Sequence, residues 1–91
     1  MNEIRLDLTS FEDKISLHSY IKEALSFPFY YGANLDALHD ELSSNTNEMS
    51  LTVVLPAAPQ GMMEGYMPRV KRVFQDAASE NYHLTVKFEE A

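Results

Sequence analysis

The chain contains no cysteine among its 91 residues. A disulfide framework, a thiol nucleophile and a cysteine zinc site are therefore excluded, and the fold must stand on its core alone. No apolar run approaches the roughly 20 residues of a membrane helix. The first ten residues, MNEIRLDLTS, lack the basic start and apolar core of a secretory leader. The expectation is a cytoplasmic protein with no membrane partner. The signatures of common hydrolases and nucleotide-binding proteins are missing too: there is no G-x-S-x-G, no P-loop and no H-E-x-x-H. No cofactor is expected. What is there is ordinary for a globular chain, with 45% hydrophobic and 23% charged residues. At this length the expectation is one domain, residues 1–91.

Basic residues are scarce: seven Lys and Arg face fourteen Asp and Glu, a formal net charge of −7. Such a chain repels phosphates, which argues against direct binding of nucleic acid. The charge is also unevenly spread. Between Lys22 and Arg69 there is no Lys or Arg, but Glu23, Asp36, Asp40, Glu41, Glu48 and Glu64 all fall there. One reading is solubility. The other is an acidic patch that attracts a basic partner.

Ile4, Leu6 and Leu8 alternate with Glu3, Arg5 and Asp7, which predicts a strand over residues 3–8. Thr9 and Ser10, with Asp13 three residues after Ser10, predict a helix start. Leu17, Tyr20, Ile21, Ala24 and Leu25 form a helical stripe, and Pro28 bounds it. An aromatic loop follows, Phe27-Pro28-Phe29-Tyr30-Tyr31-Gly32. Asn34 can cap the next helix, whose stripe is Leu35, Leu38 and Leu42. The run Leu51–Leu55 reads as a strand buried on both faces, closed by Pro56. Gly61, Gly65 and Pro68 predict irregular or weakly helical chain over 60–68. Val70, Val73, Phe74 and Ala77 then mark a helix to about Glu80, with Asn81 supplying its final turn. Leu84, Val86 and Phe88 predict a last strand. Strands separated by helices predict an α/β fold on a parallel sheet.

The most informative stretch is Tyr30 to Asp40. Asp36 and Asp40 are four apart and share a helix face away from the leucines. Like charges at that spacing cost a few tenths of a kcal/mol. Asp36 recovers part of this in the first turn, where the helix dipole favours an anion, and Asp40 lies too deep to do so. His39 lies beside them. Three readings compete: a solvated face with an incidental histidine; a metal site, since Asp36 and His39 stand at i, i+3; and a recognition surface of aromatic rings beside carboxylates. His18 and His83 neighbour core leucines and read as structural. Met62, Met63 and Met67 read as core or loop packing.

The run YYGANLDALHDELS resembles the signature of the barstar family, small cytoplasmic inhibitors of secreted microbial ribonucleases. Leu17-His18 and the Lys22-Glu23 region are similar to that family's first helix, Val73–Ala77 to its last helix, and HLTVKF to its last strand. The resemblance covers nearly the whole chain. It implies a three-stranded parallel sheet packed by helices, and an inhibitor that binds one basic ribonuclease, or a ribonuclease-like nuclease toxin domain, without chemistry of its own. It further implies the contacts. Asp40 takes the place of the scissile phosphate, and Asp36 is a second acid on the same face. Tyr30 packs on a catalytic histidine. Gly32 and Asn34 fall where the loop's backbone and cap touch the partner. Asp76 is an outlying acid, with Glu80 one turn on.

His39 stands where the best-known member has tryptophan, and Ala33 where it has an acid. Those departures alter the rim and favour an alternative, a regulatory or scaffold protein on the same fold that binds another partner. A metal-dependent enzyme using Asp36, His39 and Asp40 is a third possibility. His39 is still expected to share the packing against the partner with Tyr30, and its protonation to make binding pH-dependent.

Overall fold

The computed structural model describes residues 2–91, so Met1, the first residue of the expected 1–91 unit, lies outside the described residues. The element order is β1 (Asn2–Asp7), α1 (Lys14–Leu25), α2 (Leu35–Ser43), β2 (Met49–Leu55), α3 (Met62–Glu80) and β3 (Leu84–Glu90). This is an α/β fold with a three-stranded sheet in the order β1-β2-β3. Both strand pairs are parallel, with Leu6 opposite Val53 and Val53 opposite Phe88.

Period-two alternation places Leu6, Leu51, Val53 and Leu84 on one face, buried against the helices, with Val86 and Phe88 packed beside them. All three helices lie on that face. The reason is topological: both connections climb the sheet in the same direction, and crossovers of one hand then cover the same side. The other face is open. Its outer strands present Glu3, Arg5, Asp7, Thr85, Lys87 and Glu89 to solvent. The expectation that β2 is buried on both faces is therefore corrected. Leu51, Val53 and Leu55 are buried under the helices, whereas Ser50 and Thr52 are only half-buried on the open side. Val54 is the buried residue of that side. It lies between Asp7 and Glu89 in register, and an Arg5–Glu89 ion pair of 2.9 Å crosses β2 beside it.

The cap of α1 is Asp13, not Thr9 or Ser10: its carboxylate accepts from Ser16 N at 2.7 Å. Thr9 instead donates its N–H to Asp7 Oδ1, turning the chain out of β1. The first strand ends at Asp7, one residue short of the expected Leu8, whose N–H still bonds Val54 O at 2.9 Å. Ser26 ends α1 in the left-handed region, at φ 56°.

The largest departure from expectation is α3, which begins at Met62 and contains Pro68. The stripe Met63, Tyr66, Met67, Val70, Phe74 and Ala77 is buried throughout its length. A proline inside a helix costs about 3 kcal/mol. Burying Met63 and Met67 contributes about 1.5–3 kcal/mol each, before Tyr66 is considered, so packing outweighs the lost hydrogen bond. Met62 is exposed and takes no part in the core.

Asn81 is extended, at φ −132°, and does not supply a left-handed turn. Its buried amide does other work. Nδ2 donates to Leu42 O and Asn45 O at 2.9 and 2.8 Å, and Oδ1 accepts from His83 N at 3.0 Å. One side chain thus ties the end of α2 to the start of β3. Among the described residues no helix is long and apolar enough to cross a membrane.

Candidate protein-binding face

The loop before α2 splits its two tyrosines. Tyr31 turns inward, its ring 5.0 Å from that of Phe27 and its hydroxyl 2.7 Å from His18 Nδ1. Tyr30 is 72% exposed, and Phe29 beside it is 88% exposed, the two rings meeting edge to face at 5.5 Å. Two large aromatics thus stand side by side in solvent, the kind of contact area a recognition surface uses.

The loop conformation is specific. Ala33 has φ 52°, in the left-handed region that an L-residue enters at a cost of about 1–2 kcal/mol. A Cβ on Gly32 would meet Ala37 Cβ at 3.3 Å, so a larger residue there crowds the first turn of α2. Asn34 closes the turn from both sides. Its Oδ1 accepts from Ala37 N at 2.7 Å and its Nδ2 donates to Gly32 O at 3.2 Å.

Leu38 and Leu42 anchor α2 in the core, which sends Asp36 and Asp40 outward. The Asp40 side chain is 86% exposed. Among the described residues no Lys or Arg pairs with Asp36 or Asp40. Neither carboxylate is therefore taken up in an ion pair with Lys or Arg. Helix α2 packs on α3, and this brings His39, Asp40, Asp76 and Glu80 together. His39 Nε2 lies 2.9 Å from Glu80 Oε2, and its Nδ1 lies 4.0 Å from Asp40. Asp76 pairs along its own helix with Arg72 at 3.5 Å. Tyr30 packs on Phe29, and no carboxylate bonds it among the described residues.

The Glu80 hydrogen bond raises the His39 pKa above its ordinary 6.5, partial burial opposes this, and the charges of Glu80, Asp40 and Asp76 add to the rise. A raised folded-state pKa means that the pair stabilises the fold fully below about pH 6.5 and that this is lost as pH rises through the raised value. Glu80→Gln is expected to return the His39 pKa toward 6.5. An NMR titration of the imidazole protons checks this, and an unmoved pKa would remove Glu80 as the cause.

The metal alternative finds no ligand set: among the described residues no group of three or more His, Asp or Glu could hold an ion. No spacing or motif in the sequence singles out Phe29. The aromatic run around Pro28 was visible, but a loop has no periodicity to say which ring faces out.

Compared with known proteins, residues 1–89 match the family described as Barstar (barnase inhibitor). The chain is also 38% identical over 82 residues to YrdF of Bacillus subtilis (strain 168), a protein named as a proposed ribonuclease inhibitor. That alignment covers 88% of this chain and 89% of YrdF.

Proposed function

The chain belongs to the barstar family, and from that premise we propose that it is a non-enzymatic inhibitor that binds one basic ribonuclease, or a ribonuclease-like toxin domain, in the cytoplasm. The observation that carries the reading is the pair Asp36 and Asp40, exposed on one helix face and in no ion pair with Lys or Arg among the described residues, beside the exposed Phe29–Tyr30 pair. A ribonuclease cleft is lined with cations that hold phosphate. Asp40 enters it and stands in for that phosphate, with Asp36 beside it and Asp76 and Glu80 on the rim. Tyr30 supplies flat contact area at low entropy cost. His39 packs at the seam between α2 and α3, and Gly32 and Asn34 shape the loop. A net charge of −7 draws a basic enzyme in, and desolvated charge pairs slow its release.

The test is a calorimetric titration of the protein against barnase, the enzyme named in the family's description, at two salt concentrations. The expected result is a one-to-one complex that weakens with salt. No heat at either concentration would favour the second reading, a scaffold protein with a different partner. That reading draws on one observation: His39 already occupies the Glu80 carboxylate.

A further inference from the structure

Two of the seven basic residues, far apart in sequence, meet beside α2. Lys14, the first residue of α1, and Arg69 of α3 line one cavity of about 270 Å³ with Ala33, Asn34, Asp36 and Tyr66. Lys14 Nζ sits 4.7 Å from the centroid of the Tyr66 ring. The ring face attracts the ammonium and holds it in place. Arg69 also acts on Tyr66: burial raises the pKa of that hydroxyl, and the guanidinium charge opposes the rise. Among the described residues no carboxylate pairs with either Lys14 or Arg69. A basic doublet held in no ion pair therefore opens on a strongly acidic chain, in a wall shared with the Asp36 side chain.

That position conflicts with a simple picture of an acidic inhibitor meeting a uniformly basic enzyme. Such an enzyme would set Arg or Lys against Lys14 and Arg69 wherever it reached Asp36, and like charges brought together in a contact are strongly disfavoured. We propose that this cavity receives a carboxylate side chain of the ribonuclease, so that the fitting partner carries an acid at the edge of its basic cleft. The proposal rests on the inhibitor reading above and deepens it. The guanidinium fork of Arg69 matches a carboxylate in shape, and Lys14 is already held by Tyr66, so less freedom is lost when the acid arrives. Asp36 and Asp40 attract basic ribonucleases in general, whereas Lys14 and Arg69 choose among them by rejecting those with a cation at this edge.

The experiment compares the unaltered protein with the double variant Lys14→Glu, Arg69→Glu, measuring association and dissociation rates with barnase by stopped flow. Both side chains are exposed, and a thermal melt verifies folding. A second double variant, Lys14→Gln with Arg69→Gln, removes the charge without reversing it. The prediction has a sign that simple electrostatics does not share. If the doublet grips an acid, charge reversal speeds dissociation by at least about tenfold, and the neutral variant falls between. If the doublet is merely solvated, reversal makes the chain more acidic, association with a basic enzyme becomes faster and dissociation does not change. That second result overturns the proposal while the inhibitor reading stands. If the unaltered protein forms no complex with barnase, the charge-reversed variant decides: binding gained on reversal shows rejection by the doublet, and no complex with either protein overturns the inhibitor reading, and the proposal with it.

Discussion

Asp40→Ala is expected to weaken the complex with a basic ribonuclease by about a hundredfold or more while leaving the melting temperature within about 3 °C. The two effects separate because the carboxylate does little for the fold. It is exposed, and no Lys or Arg pairs with it among the described residues. The hydroxyls of Ser43 and Ser44 bond the carbonyl of Asp40, which the substitution keeps. Asp40 also lies in the last turn of α2, where the helix dipole disfavours an anion, and one turn after Asp36. Removing it relieves both repulsions, so a small gain in stability is as acceptable as no change. In the complex the balance reverses. Truncating one member of a desolvated charge pair strands the enzyme's cations without their anion, which costs about 2–5 kcal/mol, mostly as faster dissociation. Calorimetry and a thermal melt on the same preparation read both quantities. A large fall in melting temperature would make Asp40 structural, and an unchanged affinity would place the contact elsewhere.

The parts of this molecule that were legible in its sequence are those governed by one local rule. The alternation of Ile4 and Leu6 with charged residues defines β1, and Leu84, Val86 and Phe88 define β3, because a half-open sheet imposes a period of two. Asn34 caps α2 by chemistry that depends on three residues alone. Where two rules competed, the reading failed. Gly65 and Pro68 are local breakers, but the buried stripe from Met63 to Ala77 is a tertiary fact and it decides the length of α3. The run Leu51–Leu55 could not reveal that its second face is open, since that follows from the direction in which the crossovers climb. On the candidate face, Tyr30, Asp36 and Asp40 were nameable from the family resemblance. The meeting of Lys14 with Arg69 depends on the packing of α1 and α3 around Tyr66, and no spacing in the chain announces it.

Substituting His18 carries a large expected cost to stability. His18 is fully buried, and both its ring nitrogens are engaged, Nδ1 with Tyr31 OH at 2.7 Å and Nε2 with Tyr66 OH at 2.6 Å. A neutral imidazole donates from one nitrogen and accepts at the other, so one tyrosine accepts and the other donates. The network joins α1, the loop before α2 and α3, and among the described residues no buried side-chain polar atom is left unpartnered. His18→Ala leaves two tyrosine hydroxyls stranded and a cavity behind them. Each stranded group costs about 1–3 kcal/mol, so a loss of about 3–4 kcal/mol is expected, out of a total of about 5–15 kcal/mol for a small domain. The melting temperature should fall by roughly 15–25 °C.

A second consequence concerns acid. Burial pushes the His18 pKa below its ordinary 6.5, and the charge of Lys14 pushes it the same way. The unfolded chain therefore takes up a proton near pH 6.5 that the folded chain refuses, and stability falls as pH drops from there toward the folded-state value. His39, with its raised pKa, contributes the opposite slope. Urea unfolding of the unaltered protein, of His18→Gln and of Glu80→Gln at pH 7 and pH 5 separates the two. His18→Gln should lose less stability between those pH values than the unaltered protein does, and Glu80→Gln should lose more. Equal losses in all three proteins would show that neither histidine governs the acid sensitivity of this fold.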